Sequence, residues 1–373
     1  MSRSRGAGRA PRLGILDLHP IQYHAPLYRR LTARANVRLD VLYLGDLGLR
    51  SALDPDFGVP VAWDVDLVSG YEHDFLAGPA PARAARLARW LRGHDAVVLH
   101  GHSNPWMLVA AALCRARGVP YLLRGDSGPR GQSGGARGAV RYAVARAMVS
   151  SSACGLSVGR LNEQFYARYG ARRVVFAPHS VDNERFACPP PVSRRELLAR
   201  WGLDDRHPVV MFSGKLRPAK RPADLAAAVA RVGQPVTALF VGSGVLAEQV
   251  RSMLAPGRGA VTGFVNQAEL PSNYHAADIL VLPSESDPWG LVVNEAMTAG
   301  VLPIVSDRVG CGPDLVAGLG EVYPCGDVDA LTAALRRGLD RIGDPGLAEK
   351  LRQRVDGYGV DATAAGFERA VTA

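Results

Sequence analysis

Apolar residues along this chain fall into short runs separated by polar, glycine-rich or helix-patterned stretches. In the first half the runs are "LGILDL" (13–18), "VRLDVLYL" (37–44), "DAVVLH" (95–100), "PYLLR" (120–124) and "RVVFAP" (173–178). In the second half they are "PVVMFSG" (208–214), "VTALFVG" (236–242), "AVTGF" (260–264), "DILVLP" (278–283) and "VLPIVS" (301–306). Runs of this length, rich in branched residues, predict strands buried on both faces of a parallel sheet. Between them lie helical patterns such as "PLYRRLTAR", "NPWMLVAAALCRARG", "PADLAAAVARVG" and "VNEAMTAG". Strand–helix alternation in both halves predicts an α/β protein of two doubly wound domains. Three consecutive prolines, Pro189 to Pro191, break structure in "HSVDNERFACPPPVSRRELL" and mark the linker, so the domains are expected at 1–187 and 188–350. Open α/β sheets bind ligands beyond the carboxyl ends of their strands. Two such sheets facing each other would enclose a deep interdomain cleft.

Composition narrows the class. The 373 residues suffice for two ordinary domains, and 47% apolar with 21% charged residues fits a folded globular chain. No apolar run is long enough to span a bilayer. "MSRSRGAGRAPRLG" has arginines without an apolar core behind them and reads as a basic arm, not a secretory signal. Cys114, Cys154, Cys188, Cys311 and Cys325 are odd in number and lack CxxC spacing, which disfavours a disulfide framework or zinc site and points to a reducing cytoplasm. The net charge of +9 divides into +11 over 1–187 and −2 over 188–373. That asymmetry suggests different partners for the halves. "PARAARLARWLRGHD" spaces Arg83, Arg86, Arg89 and Arg92 by three around Leu87, Trp90 and Leu91. An ordinary surface helix is the favoured reading, and peripheral contact with an anionic membrane at the inner face is the alternative. Nucleic acid is not expected, because no aromatic-rich basic sheet or helix-turn-helix pattern is present.

The candidate chemistry sits in the second half. Only three lysines occur in the chain, and two of them, Lys215 and Lys220, follow the strand "PVVMFSG" directly. A lysine ammonium is a compact point charge suited to phosphate. In "PSESDPWGLVVNEAMTAG" (283–300) a strand ends, an acidic loop follows, and a helix starts near Leu291. The free N–H groups of Gly290, Leu291 and Val292 would favour a phosphate there. Glu295, one turn inside, is placed to accept a ribose diol, and Asp287 in the loop can accept a sugar's hydroxyls. Together these groups suit a diphosphate joining a nucleoside to a sugar.

These residues resemble glycosyltransferase family 4. The family pattern G-[R/K]-L-x-x-x-K is matched by Gly214-Lys215-Leu216 with Lys220, and E-x-[F/W]-G-x-x-x-x-E by Asp287-Pro288-Trp289-Gly290 with Glu295. "LFVGSGVLAEQV" (239–250), "VTGFVNQAELPSNYHAADILVLPS" (261–284) and "VSDRVGCGPDLV" (305–316) extend the likeness, while "HPIQYHAPLYRRL" (19–31) and "VDNERF" (181–186) resemble one bacterial subgroup. The resemblance implies the GT-B fold of two facing Rossmann-like domains and a retaining glycosyltransferase of the hexosyltransferase type, needing neither metal nor cofactor. The donor would be a nucleotide-sugar, a UDP-sugar favoured. The acceptor would be a hydroxyl of a glycan, a lipid-linked sugar or a small molecule. Lys215 and Lys220 would hold the leaving diphosphate, Asp287 the transferred sugar, Glu295 the ribose, and the backbone around Phe264 the base. The last segment, 351–373, would return to the first domain. Asp287 stands where the family has glutamate, and "HPIQYH" replaces its glycine-rich loop after the first strand. His19, Gln22, His102, Arg124 and Asp126 are the acceptor-side candidates.

The chain also carries patterns that point to other chemistry. Asp54-Pro55-Asp56, Asp64-Val65-Asp66 and Asp327-Val328-Asp329 each match D-x-D, too short a pattern to predict a metal. His24 and His100 share the standing of His19 and His102 at strand ends, without further metal ligands at suitable spacing. "GSG" (242–244) reads as a tight turn and Cys311 as packing. The alternatives in function are a sugar-nucleotide epimerase of the same fold, or a non-catalytic lipid- or nucleic-acid-binding module built on the basic half.

Overall fold

The computed structural model describes residues 9–129 and 135–372. Residues 1–8 of the basic arm lie outside that range. The chain divides into two units, one formed by residues up to Leu49, Asp66–Pro178 and the chain from Val360, the other by Arg50–Val65 and His179–Gly359. Among the described residues the strands in chain order are β1 (Arg12–Asp17), β2 (Arg38–Tyr43), β3 (Ala52–Asp54), β4 (Val59–Val61), β5 (His73–Phe75), β6 (Ala96–His100), β7 (Tyr121–Arg124), β8 (Cys154–Ser157), β9 (Val174–Phe176), β10 (Val209–Ser213), β11 (Thr237–Val241), β12 (Gly259–Val261), β13 (Ile279–Leu282), β14 (Leu302–Ser306) and β15 (Glu321–Tyr323).

The first unit carries a seven-stranded sheet in the order β5-β2-β1-β6-β7-β8-β9, and its strand pairs are parallel. Order reverses between β1 and β6, where Leu13 to Leu16 pair with Ala96 to Leu99. Both faces are covered, by clusters around Leu13, Tyr28 and Phe367 and around Leu16, Leu99 and Tyr166. The last helix, Val360–Thr372, belongs to this unit. It presents Ala364, Phe367 and Val371 to the core, Thr363 donates to the Pro178 carbonyl at 2.9 Å, and Glu368 takes two bonds from Arg34 at 2.9 Å. A Cβ on Gly366 would lie 2.5 Å from the Phe176 carbonyl, so glycine lets the helix sit against β9.

The second unit carries a six-stranded parallel sheet in the order β12-β11-β10-β13-β14-β15. Its switch point lies between β10 and β13. The preceding helix, Leu347–Asp356, stays with this unit.

Three boundaries differ from the sequence expectation. The division falls after Pro178 rather than after residue 187, because Val181 bridges to Gly359 and the helix Asn183–Ala187 packs on 270–275 and 291–298. The return segment starts at Val360, not at 351. The hairpin β3–β4 belongs to the second unit although the chain around it builds the first. Alternation did not reveal β3, β4, β5, β8 or β15, which are three or four residues long and include segments such as "CGLS" and "EVY".

The arginine-spaced segment forms the helix Ala80–Leu91. Leu87 and Leu91 are buried in the first unit's core with Trp90 against it. Arg83 donates to the Leu44 carbonyl at 3.1 Å, and Arg86 binds Phe75 and Asp74. The apolar face of this helix is thus turned into the first unit's core, and the segment is an ordinary surface helix, not a lipid-binding one. Among the described residues no helix is long and apolar enough to cross a membrane.

Candidate functional site

Neighbouring strands β10 and β13 bring two loops together at the switch point of the second sheet. After β10 the chain turns at Gly214, runs through Lys215 and Leu216, and closes a short 3-10 turn at Pro218–Lys220. This loop lies on the "GSG" turn, where Gly242 and Gly244 have φ of 144° and 149° and a Cβ on Gly242 would stand 1.9 Å from the Gly214 carbonyl. The Leu216 N–H donates to Ser243 at 2.8 Å. The loop after β13 is tied to it, since the Glu285 N–H donates to the Ala219 carbonyl at 2.9 Å. Lys220 Nζ then meets Asp287 Oδ2 at 2.6 Å, both side chains being largely shielded. Asp287 is also held through its backbone, with Gly310 N–H donating to its carbonyl at 2.9 Å.

The helix Leu291–Thr298 begins beside this ion pair. Gly290 precedes it at φ 94°, a conformation that favours glycine. Among the described residues no side chain caps this helix start, and Leu291 and Val292 are half-exposed. Its unpaired N–H groups carry partial positive charge. Glu295 is completely buried, and its Oε2 accepts from the Tyr274 hydroxyl at 2.5 Å. A carboxylate without accessible surface does not meet a ribose. Glu295 instead braces helix 291–298 against 270–275, a correction to its expected role. Burial pushes the Cys311 thiol well above its ordinary pKa, in keeping with packing.

The other lysine is engaged differently. Lys215 Nζ lies 3.1 Å from both carboxylate oxygens of Asp54 and 3.1 Å from Asp56 Oδ2. Arg217 donates to the same Asp56 oxygen at 3.0 Å. Asp54 ends β3 and Asp56 lies in the turn to β4, where Asp54 Oδ1 accepts from the N–H groups of Asp56 and Phe57, and Gly58 turns back at φ 71°. Burial acts to raise the Asp54 carboxyl, but the Phe57 N–H and the Lys215 ammonium outweigh it and hold the pKa below the ordinary value. Phe264 is half-buried, with Phe57 edge-on at 5.0 Å and Trp63 at 6.1 Å. Asn266 donates to the Ala62 carbonyl at 2.6 Å, and Asp64 accepts from the Ala268 N–H at 3.0 Å.

In the first unit the acceptor-side candidates disperse. Arg124 is 2% exposed and donates to the carbonyls of Ala177 at 2.6 Å and Pro178 at 2.9 Å, with Phe367 under its guanidinium. Burial pulls its pKa down to about 10. It ties β7 to the segment after β9 and has no surface for an acceptor, which removes it from the set. His102 is half-buried against Phe165 at 5.3 Å, and burial lowers its pKa. His19, Gln22 and Asp126 are half-buried in loops, His19 Nδ1 lying 3.2 Å from the Pro20 carbonyl. The group that does assemble is Asp17, His24 and His100, at the carboxyl ends of β1 and β6. His24 Nδ1 meets Asp17 Oδ2 at 2.7 Å, Tyr28 donates to the same oxygen at 2.7 Å, and the two imidazoles are 4.6 Å apart. Burial acts to raise the Asp17 carboxyl, but the charges of His100 and His24 prevail and hold it far below its ordinary range. The donor set is one that zinc accepts, yet a nitrogen and an oxygen 2.7 Å apart share a proton. Two ligands at about 2.0–2.1 Å on one tetrahedral zinc stand farther apart than that.

The fold matches Anabaena HepE in complex with UDP at a TM-score of 0.74 over 97% of this chain and 99% of that one, with 16% identity. It matches the sucrose-phosphate synthase of Thermosynechococcus elongatus at 0.70 over 96% and 98%, with 19% identity. The fold is GT-B. Residues 193–356, the bulk of the second GT-B unit, match the family model for glycosyl transferases group 1. The D-inositol 3-phosphate glycosyltransferase of Kineococcus radiotolerans is 32% identical over 52% of this chain and 51% of its own length. A GDP-mannose-dependent alpha-mannosyltransferase of Mycobacterium tuberculosis is 30% identical over 62% and 60%. The chain thus spans about half the length of the curated relatives it matches.

Within the GT-B frame, sequence reasoning located the two loops and missed what faces them. In the sequence Asp54 and Asp56 form only a D-x-D pattern, and in the structure they are the partners of Lys215 and Arg217. Their one sequence signal was the Asp-Pro-Asp-Phe-Gly turn, which predicts a bend but not the unit it packs against. Tyr274, the partner of Glu295, carried no signal at all.

Proposed function

We propose that this protein is a retaining, metal-independent glycosyltransferase that moves a sugar from a nucleoside diphosphate, a UDP-sugar favoured, to a hydroxyl acceptor. The observation that carries the reading is the Lys220–Asp287 pair beside the start of helix 291–298, at the switch point of the second sheet. A cation, a helix start and a carboxylate within one loop pair suit a diphosphate next to a polyhydroxylated ring. The match of 193–356 to the group 1 glycosyl transferases supports it, as does the likeness to a GT-B protein in complex with UDP.

In the proposed reaction the acceptor oxygen attacks the anomeric carbon from the face the diphosphate leaves. The new C–O bond forms as the bond to the β-phosphate oxygen breaks, and the acceptor's proton passes to that phosphate. Lys220 and the N–H groups of Leu291 and Val292 stabilise the growing negative charge, commonly the largest catalytic contribution. Asp287, oriented by Lys220, accepts hydroxyls of the sugar. Lys215 and Arg217 add positive charge to the diphosphate. Glu295 acts as a positioning residue for the helix. The acceptor is assigned to the first unit, with His19, Gln22, His102 and Asp126 as its candidate contacts. Five cysteines without a disulfide fit a reducing, cytoplasmic setting.

The test is a thermal-shift screen against UDP, GDP, dTDP and ADP, with their sugars, because a ligand that binds only the folded chain raises its melting temperature. UDP is expected to give the largest shift, undiminished by EDTA. No shift with any nucleotide would overturn the reading. Product analysis with donor alone separates transfer from epimerisation, and the anomeric configuration of the product tests retention.

A further inference from the structure

Lys215 is the most heavily paired cation of the second unit's loop cluster. An ammonium has three protons to donate, and three carboxylate oxygens stand 3.1 Å from Lys215 Nζ, two on Asp54 and one on Asp56. The Phe57 ring centroid adds a fourth contact at 4.9 Å. Arg217 is drawn into the same arrangement through Asp56 at 3.0 Å. Two anionic groups two residues apart, on two cations two residues apart, present the charge pattern of a diphosphate on its binding loop.

The turn that carries these acids is built to hold them there. Asp54 Oδ1 is pinned by the N–H groups of Asp56 and Phe57 at 2.9 and 3.0 Å, and the Gly58 N–H closes on the Asp54 carbonyl at 2.8 Å. The distal end of the hairpin is anchored separately, through Asn266 to Ala62 and Asp64 to Ala268. An acidic tip on an anchored base can leave its cations without the whole hairpin detaching. The Asp54 and Asp56 side chains are 26% and 40% exposed, so water already reaches both carboxylates and can take over part of their charge when they leave the cations.

We propose that the Asp54-Pro55-Asp56 turn is a built-in competitor of the donor diphosphate, seated on Lys215 and Arg217 and lifted off them when a diphosphate binds. The device rests on the donor-site reading above and adds to it an autoinhibitory contact. It raises the concentration of donor needed to fill the site, and it neutralises a cationic loop that would otherwise attract other phosphates. Lys220, paired with Asp287 rather than with the hairpin, remains outside the competition.

The test uses the full chain with Asp54→Asn and Asp56→Asn, singly and together, and titrates UDP, inorganic pyrophosphate and uridine by calorimetry. The amides replace the carboxylates at the same size, and a melting curve checks that the fold is kept. The double variant is expected to bind UDP and pyrophosphate about tenfold more tightly, equivalent to about 1.4 kcal/mol. Each single variant should gain less, and uridine should be unaffected. Hydrogen exchange on the wild-type chain should show the amides of Asp56, Phe57 and Gly58 losing protection when UDP is added. Unchanged or weaker UDP binding in the double variant, or increased protection at those amides, would overturn the latch while leaving the donor site standing. An equal gain for uridine would overturn it too, by assigning the effect to Phe57 and Trp63. If the wild-type chain binds neither UDP nor pyrophosphate and Lys220→Ala changes nothing, the latch and the donor-site reading fail together.

Discussion

Lys220→Ala separates a chemical role from a structural one. The substitution removes an ammonium that lies 2.6 Å from Asp287, with side-chain exposures of 19% and 13%. A fully exposed pair is worth about 0.2–1 kcal/mol. This one is better shielded and leaves a carboxylate without its charged partner, so the loss in folding stability should be about 1–2 kcal/mol. If Lys220 also stabilises a leaving diphosphate, the barrier to donor cleavage should rise by about 3–4 kcal/mol, a hundred- to thousand-fold in rate. The two effects differ enough to be told apart. Stability is read by urea denaturation, and chemistry by single-turnover cleavage of UDP-sugars. Asp287→Asn and the double variant complete a cycle, whose coupling in stability should be about 0.5–2 kcal/mol because the residues touch. A Lys220→Ala chain that lost the expected stability but cleaved donor within about threefold of wild type would make the pair a structural tie, and the diphosphate role would be refuted.

Lys215→Arg should keep most donor cleavage, since a planar guanidinium can still reach both a phosphate and the Asp54 and Asp56 carboxylates, whereas Lys215→Ala should weaken UDP binding by about tenfold in the same calorimetry. Arg124→Met should destabilise the first unit by about 2–4 kcal/mol by removing the guanidinium donors from the Ala177 and Pro178 carbonyls, the second of which keeps its bond from Thr363, with UDP affinity unchanged; a matching loss of UDP affinity would contradict the separation of the units' roles. Phe367→Ala, in the core of the first unit, should cost about 3–5 kcal/mol on denaturation although it lies near the end of the chain. The depressed Asp17 carboxyl gives a pH prediction. Its folded pKa lies below the unfolded value near 3.8, so its stabilisation is present above about pH 4 and is lost as the pH falls toward the folded pKa. Asp17→Asn should therefore lower stability at neutral pH and flatten the acid limb of the stability curve measured by denaturation.

Much of the scaffold was legible in one dimension because its information is local. Parallel strands buried on both faces are continuous apolar runs, and the ten runs from "LGILDL" to "VLPIVS" coincide with β1, β2, β6, β7, β9 and β10 to β14 within a few residues. The loop lysines and the glycine before Leu291 were equally local, since a strand end, a turn residue and a helix start are defined by adjacent positions. Tertiary structure alone decided which groups those loops meet. Residues 161 positions apart form the Lys215–Asp54 contact, and 334 positions separate Arg34 from Glu368. Charges carry no address in the sequence: an aspartate reads the same whether it faces water, a metal or a lysine from another part of the chain. Burial behaves likewise, turning Glu295 and Arg124 from candidate ligand contacts into internal braces. Periodicity reports which face of an element is covered, not by what. The partner is set when sheet order places β10 beside β13, β1 beside β6, and the 50–65 hairpin with the second unit rather than the first.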